Sequence, residues 1–247
     1  MNTLLAEAYE SFDAVEDAFH EALLESLEPE GPDALYGLVE AMGLPSGARV
    51  VDVGCGRGNH VRGLTERFGF DVVGVDPYAE PPNVVGVIEK LPFADGQFDL
   101  VWCRDMIEHV DDLPLAFSEL RRVLRPGGRA MVYSMFVTEL LEPNEADEFF
   151  RLTRTVRSAL DPVNVERAMD GFRIDERFEI GSQWGEVDDG RKPGQRLLWA
   201  ARLRRAPERY IAQFGQTNYE VMLSDCLWHV YAMLGKIHRR AYVLTKV

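Results

Sequence analysis

Short apolar runs alternate with longer amphipathic stretches through the middle of the chain. In the longer stretches apolar residues recur every three or four positions, which is the period of a helix with one buried face. The pattern predicts strands at 49–53, 71–75, 84–88, 98–103 and 129–135, and helices at 58–68 and 113–123. Alternation of this kind indicates an α/β fold with a mostly parallel sheet and helices on both faces.

Helical periodicity also marks the two ends of the chain. Residues 3–27 place apolar and acidic side chains on opposite helix faces, and Gly31-Pro32-Asp33 opens a second helix that ends near Met42. The remaining predicted elements are a helix at 145–170, a strand at 172–180, helices at 194–214 and 218–237, and a last strand at 240–247. We expect one domain, with an N-terminal helical cap at 1–44, a core at 45–181 and 239–247, and a helical insertion or lid at 182–238.

The stretch Val50–Asn59 (V-V-D-V-G-C-G-R-G-N) contains the most informative motif. An apolar strand ends in Gly54, Gly56 and Gly58, where glycine permits a sharp turn and lets a ligand lie against the bare backbone. The next predicted strand ends at Asp76, whose carboxylate is placed to accept hydrogen bonds from a ribose. The two strand ends therefore predict a site for an adenosine-containing cofactor. A tight strand–helix turn without a ligand is the alternative.

Three further segments follow in a fixed order: Leu91–Val101 (L-P-F-A-D-G-Q-F-D-L-V), Ile107–Val110 (I-E-H-V) and Leu124–Gly128 (L-R-P-G-G). Together with the G-x-G-x-G spacing they resemble the core of the class I S-adenosylmethionine (SAM)-dependent methyltransferases of the small-molecule type. The resemblance covers roughly residues 48–135. It implies a Rossmann-like fold with a mostly parallel seven-stranded sheet and an antiparallel last strand, with SAM as cofactor and S-adenosylhomocysteine (SAH) as product.

The resemblance also implies the cofactor-binding residues. The glycines would approach the methionine part of SAM, Asp52 would order this loop and the nearby amino group, and Asp76 would bind both ribose hydroxyls. Relatives often carry an aspartate for the adenine amino group where this chain has Val87, so either Glu89 or the backbone of Ile88 would serve instead. The full predicted set is Asp52, Gly54, Cys55, Gly56, Gly58, Asp76, Pro77, Ile88, Glu89 and Arg104.

Predictions for the acceptor side rest on residue type and position. His109 is the candidate general base, because histidine titrates near neutrality; a histidine that only packs under the cofactor is the alternative. Trp184, Trp199, Trp228 and Tyr231 are either walls of a substrate pocket or core aromatics. Asp225, Cys226 and His229 lie at helical spacing, but we expect no metal site.

Charge divides the chain into an acidic head and a basic tail. The net charge is −14, which argues against general nucleic-acid binding. Residues 1–48 carry −11, whereas the chain from Arg191 onward carries +8. The basic residues of the insertion would either meet the acidic N-terminal helices or hold an anionic group of the acceptor; they are Arg191, Lys192, Arg196, Arg202, Arg204, Arg205 and Arg209.

Cysteine spacing and hydropathy indicate the compartment in which the protein works. The three cysteines are far apart and form no disulfide framework or metal clip, and no apolar stretch is long enough for a membrane span. We therefore expect a cytoplasmic enzyme, monomeric or homodimeric, without a nucleic-acid or membrane partner. It would transfer a methyl group from SAM to an oxygen or nitrogen of a small molecule. A methyltransferase-fold protein that catalyses a rearrangement, a non-catalytic SAM-binding module and an NAD-linked oxidoreductase are the alternatives.

Overall fold

The computed structural model describes residues 33–180 and 194–247. The helix predicted at 3–27 lies outside these ranges, as do Trp184, Arg191 and Lys192. Within the described part of the chain, every helix is too short or too polar to cross a bilayer.

Seven strands form one sheet in the order β3-β2-β1-β4-β5-β7-β6. The strands are β1 Arg49–Val53, β2 Asp71–Asp76, β3 Val84–Val85, β4 Phe98–Arg104, β5 Leu124–Val137, β6 Phe172–Ile180 and β7 Ile237–Lys246. The first five run parallel, and β7 is antiparallel to both β5 and β6. The predicted mostly parallel sheet with an antiparallel last strand is confirmed.

Helices cover both faces of the sheet. The described helices are α1 Asp33–Ala41, α2 Asn59–Phe68, α3 Leu113–Val123, α4 Pro143–Thr153, α5 Pro162–Ala168, α6 Gly194–Arg205, α7 Pro207–Phe214 and α8 Gln216–Met233. Val51 and Val101 belong to the cluster that contains buried residues of α3 and α5. Val50 and Leu100, one position earlier in each strand, belong to the cluster with α1 and α2. Adjacent residues of β1 and β4 are thus buried on opposite faces, which is why these strands are apolar throughout.

A third cluster forms the described part of the cap. Apolar residues of α4, α6 and α8 pack together there, among them Phe149, Leu203 and Leu227. Met135 of β5 and Ile237 of β7 belong to the same cluster, so the cap is anchored on these two strands.

Several predicted element bounds are wrong. The helix expected at 145–170 is divided into α4, a 3₁₀ turn at Arg157–Leu160 and α5, because Arg154 ends α4 in a left-handed conformation and Pro162 starts a new helix capped by Asp161. The helix expected at 194–214 breaks before Pro207, and the next one ends at Met233 instead of 237.

The bounds of two predicted strands also differ. The strand expected at 84–88 is only Val84–Val85, since residues 87–90 form a tight turn with a bridge between Val87 and Lys90. The last strand begins at Ile237, three residues earlier than expected, because it pairs with β5 as far as Val137.

Candidate active site

The glycine turn lies between β1 and α2 and is fastened to the end of β2. Gly54, Gly56 and Gly58 have φ angles of 80°, 48° and 73°, a region that glycine adopts readily. The amides of Gly54 and Cys55 donate to the carbonyl of Val75 at 2.8 and 3.2 Å. A Cβ at Gly54 would also lie 3.0 Å from the side chain of Met106. Glycine is therefore required at this position by both backbone conformation and space.

Asp76 links the two strand ends. Its Oδ2 accepts from the Gly56 amide at 3.1 Å and its Oδ1 accepts from the Tyr78 amide at 2.9 Å. Each oxygen of a carboxylate has a second lone pair, so capping this turn is compatible with binding a diol. The glycine turn, Asp76 and the 78–83 loop line a cleft of about 990 Å³. Tyr78, which sequence reasoning missed, lies in this cleft with 91% of its surface exposed.

Asp52 is a buried acid beside the glycine turn. It is 1% exposed, and its Oδ2 has no hydrogen-bond partner among the described residues. Burial and, to a lesser extent, the negative charge of Asp76 raise its pKa to about 7, while Arg104 opposes the shift. A buried acceptor without a donor is costly unless a ligand completes it. The ammonium group of SAM is a donor of the right charge, so these residues fit the cofactor that the sequence implied.

The residues predicted to hold adenine lie in and beside the turn that follows β3. Val87 is 44% exposed, whereas the side chain of Ile88 is buried in the core at 1%. Ile88 can therefore offer only its backbone to a ligand at this edge. Glu89 is half-buried, and Pro77 is exposed beside Asp76.

Arg104 ends β4 between the cofactor cleft and the next pocket. Its Nε contacts Asp105 Oδ2 at 3.0 Å, and its guanidinium lies 5.4 Å from the ring centre of Tyr133. Its Nη1 is 3.5 Å from His60 Nε2, a residue that sequence reasoning missed. Burial and the charge of Arg104 lower the pKa of His60 to about 4. His60 is thus neutral at pH 7, and its Nε2 can accept from Arg104.

A second pocket of about 340 Å³ lies beside Arg104. Its walls come from the turn after β4, the end of β5, the segment after α4, and α8, and they include Glu108, His109, Thr155 and Trp228. Trp228 donates from Nε1 to Met135 Sδ at 2.9 Å. The predicted pocket residue Trp228 and the candidate base His109 therefore line the same pocket.

The main chain fixes the orientation of His109. Its Nδ1 lies 3.2 Å from the carbonyl oxygen of Arg154. A carbonyl can only accept, so Nδ1 carries the hydrogen of this bond, and Nε2 is the ring nitrogen on the other side. Arg154 presents this carbonyl from a left-handed conformation with φ of 57°. Asp105, which also lines the pocket, has φ of 51°. Such strained residues tend to cluster at functional sites.

The structure places the two other described aromatic candidates elsewhere. Trp199 lines a separate apolar cavity of about 520 Å³ within the cap. Tyr231 is 4% exposed and packs on Phe149, with ring centres 5.4 Å apart. Tyr231 is therefore a core aromatic of the cap, which is the alternative the sequence left open.

The residues considered as metal ligands have other partners. The carboxylate of Asp225 pairs with Arg196, and His229 Nδ1 lies 2.8 Å from the carbonyl oxygen of Asp225. Cys226 is buried in the cap. In residues 33–180 and 194–247 no group of three potential ligands converges. Arg204 pairs with Glu148 of α4, so two basic residues of the insertion form ion pairs inside the cap.

Comparison with known proteins finds methyltransferases. Residues 51–132 match the model of a methyltransferase domain. The chain is 31% identical over 128 residues to a sterol 24-C-methyltransferase of Gibberella zeae, covering 45% of this chain and 34% of that protein. It is 34% identical over 115 residues to the tocopherol O-methyltransferase of Arabidopsis thaliana, covering 40% and 33%. The chain thus spans about a third of the length of these relatives.

The fold has solved counterparts as well. Phosphoethanolamine N-methyltransferase 2 of Haemonchus contortus, solved in complex with SAM, superposes with a TM-score of 0.61 at 22% identity, covering 88% of this chain and 53% of that one. The matched domain, the sheet order and the glycine turn together show that residues 51–132 resemble a methyltransferase domain and that the chain has the fold of the SAM-dependent methyltransferases.

Proposed function

We propose that this protein transfers a methyl group from SAM to an oxygen or nitrogen atom of a small-molecule acceptor. The relatives include a sterol methyltransferase and a tocopherol methyltransferase, and the fold neighbour is a phosphoethanolamine methyltransferase. These names cover carbon, oxygen and nitrogen acceptors. The preference for oxygen or nitrogen therefore rests on the pocket of this chain.

One observation carries the proposal: a single edge of the sheet brings together the cofactor residues and a histidine-containing pocket. The glycine turn and Asp76 end β1 and β2, while Arg104 and the turn that bears His109 follow β4, the neighbour of β1. Ligands of parallel sheets bind at the carboxyl ends of the strands. A cofactor on the glycine turn would lie beside the His109 pocket.

SAM supplies an electrophilic methyl group on a good leaving group, so the protein must mainly position the two reactants. Asp52 would hold the amino group, the glycine amides would lie along the methionine part, and Asp76 would accept from the ribose hydroxyls. His109 would take the proton of an attacking hydroxyl or amine on Nε2, since Nδ1 already carries a hydrogen directed at Arg154.

The surroundings of the site belong to the same proposal. The described cap helices α4, α6 and α8 would close the acceptor pocket from water, and closure or product release would then limit turnover. An anionic acceptor would contact the basic residues of the insertion.

The described cysteines are buried free thiols, which supports a reducing compartment such as the cytoplasm. A rearrangement or a non-catalytic role is not favoured, because the named relatives are methyltransferases.

Calorimetric titration with SAH and, separately, with NAD tests the proposal. We expect micromolar binding of SAH and no heat with NAD. Screening hydroxyl and amine acceptors with methyl-labelled SAM should then give labelled product. Binding of NAD alone, or SAH binding without transfer to any oxygen or nitrogen acceptor, would contradict the proposed reaction.

A further inference from the structure

Glu108 is a buried acid in the wall of the acceptor pocket. It lies in the 3₁₀ turn Ile107–His109, is 3% exposed, and lines the same pocket as His109. Its Oε2 accepts from the Ser134 hydroxyl at 3.0 Å. Its backbone carbonyl accepts from the Val156 amide at 2.7 Å. Ser134 of β5 therefore fixes the carboxyl group of Glu108, and Val156, after α4, fixes its backbone.

The surroundings of Glu108 disfavour a negative charge. Burial and, to a lesser extent, the negative charge of Asp105 raise its pKa to about 8, while its own backbone amide, Ser134 and Arg104 oppose the shift. The titratable groups that face it come from β4, the same turn and the cap helix α8; they are Cys103, Arg104, Asp105, His109, Asp225 and His229. The permanent cation Arg104 is itself paired with Asp105. Burial beside Asp105 therefore favours the protonated form of this carboxyl group.

A protonated carboxyl group can do what a carboxylate cannot, which is to donate a hydrogen bond. The neighbouring residue His109 has Nδ1 directed at the Arg154 carbonyl, so its Nε2 would be the atom that takes the proton of the acceptor. The two side chains thus offer the pocket one acceptor and one donor. An acceptor molecule that matches both carries a hydroxyl group to be methylated and a second oxygen close to it.

We propose that Glu108, in the pocket wall beside His109, is an acceptor-binding residue that donates a hydrogen bond to a second oxygen of the acceptor. The acceptor class is then a vicinal dihydroxy or hydroxy-carbonyl compound. The assignment rests on the proposed methyl transfer and adds the chemistry of its acceptor. No bond to Glu108 forms or breaks, and His109 receives the proton of the attacking hydroxyl.

Three variants separate this role from its alternatives. Glu108→Gln keeps a donor of the same shape, whereas Glu108→Leu keeps the volume but removes the donor. Glu66→Gln makes the same change as Glu108→Gln on the exposed face of α2 and serves as the control. Catechol and phenol are the probes, since they differ only by the second oxygen, and benzylamine represents amines. SAH affinity, thermal stability and labelled methyl transfer are measured for every variant.

We expect the wild type and Glu66→Gln to methylate catechol more efficiently than phenol. Glu108→Gln should keep kcat/KM for catechol within about threefold, and Glu108→Leu should lower it about tenfold or more, the effect of losing one buried hydrogen bond. The kcat/KM for phenol should change much less. The ratio of kcat/KM for catechol to kcat/KM for phenol should therefore fall in Glu108→Leu, while the SAH affinity is unchanged. A purely structural role would leave this ratio constant.

Infrared difference spectra of the SAH complex give a readout that needs no acceptor. The carbonyl band of a neutral carboxylic acid should be present at pH 7 in the wild type, absent in Glu108→Gln, and lost as the pH rises through about 8. Absence of the band at pH 6, activity of Glu108→Gln as low as that of Glu108→Leu, or a preference for benzylamine would overturn the assignment. Failure of the wild type to bind SAH would instead overturn the proposed function.

Discussion

The two halves of the proposed site, one for the cofactor and one for the acceptor, are assembled in different ways. The cofactor half comes from a nearly continuous stretch in which β1, the glycine turn and β2 place Asp52, Gly54 and Asp76. The acceptor half comes from four separate segments, which contribute residues such as His109, Thr155 and Trp228. The first half is encoded by local turn chemistry. The acceptor half forms only when the cap helices pack against the sheet, because its residues come from both.

Both halves contain a buried acid with a raised pKa, but their neighbours differ. Asp52 has an oxygen without a partner in the described structure and lies beside a second acid, Asp76. Glu108 already accepts from Ser134. The arrangement around Asp52 fits a cationic ligand, whereas that around Glu108 stabilises a neutral acid. The difference makes each half separately testable.

Gly54→Ala should have the largest effect, and it should be confined to the cofactor half. A left-handed conformation costs an L-residue about 1–2 kcal/mol, and overpacking against Met106 adds about 1–3 kcal/mol. SAH affinity should fall about 100-fold or more by calorimetry. Gly43→Ala has the same backbone strain, with φ of 64° and open space around the Cβ. Equal SAH affinities of the two variants would refute a role for close approach at Gly54.

His109→Gln should affect only the acceptor half. Loss of a general base lowers turnover about 100-fold or more, so kcat should fall while the SAH dissociation constant stays within about twofold. Turnover is measured with the acceptor that screening with labelled SAM identifies. Arg154→Gly is the matched control: glycine adopts the positive φ of this position without strain, and the backbone carbonyl that His109 contacts is kept. Its turnover should therefore stay close to that of the wild type. Unchanged turnover of His109→Gln would leave His109 a packing residue.

Asp76→Ala should weaken SAH binding about 10- to 100-fold, which corresponds to hydrogen bonds to a charged group. The amides of Gly56 and Tyr78 also lose their acceptor. Asp71→Ala, at the exposed start of the same strand, should bind SAH like the wild type. If the two variants lost affinity equally, the effect would come from β2 as a whole and not from the carboxylate at its end.

The contrast between the halves also explains what the sequence could predict. G-x-G-x-G and Asp76 locate the cofactor turn because their spacing follows from strand and turn geometry. His60 and Tyr78 were missed because their importance depends on neighbours brought by folding, Arg104 and the cleft. The helix expected at 145–170 was wrong because its periodicity continues through a proline and a left-handed arginine. That break is what presents the Arg154 carbonyl to His109.

The smallest expected effect is a proton linked to SAH binding at Asp52. An ammonium ligand favours the ionised carboxylate, so affinity should rise with pH up to about 7, at most tenfold per unit, with release of up to one proton below that pH. Calorimetry in buffers of different ionisation enthalpy measures this proton, and Asp52→Asn should abolish it. The linkage is contradicted by proton uptake, or by equal pH dependence in the variant.

The raised pKa of Asp52 also makes the stability of the fold depend on pH. The folded pKa of Asp52 lies above its ordinary value of 3.8. The folded state therefore binds more protons, and the free energy of unfolding should decline as the pH rises from 3.8 to about 7. Urea unfolding of the wild type and Asp52→Asn across this range measures the difference, which should shrink when SAH is added.

A crystal structure of the SAH complex tests most directly whether the two halves form one site. The account predicts the ribose on Asp76, the amino group on Asp52, and the sulfur facing the pocket that contains His109 and Glu108. A complex with the sulfur directed away from that pocket, or with SAH bound elsewhere, would contradict it.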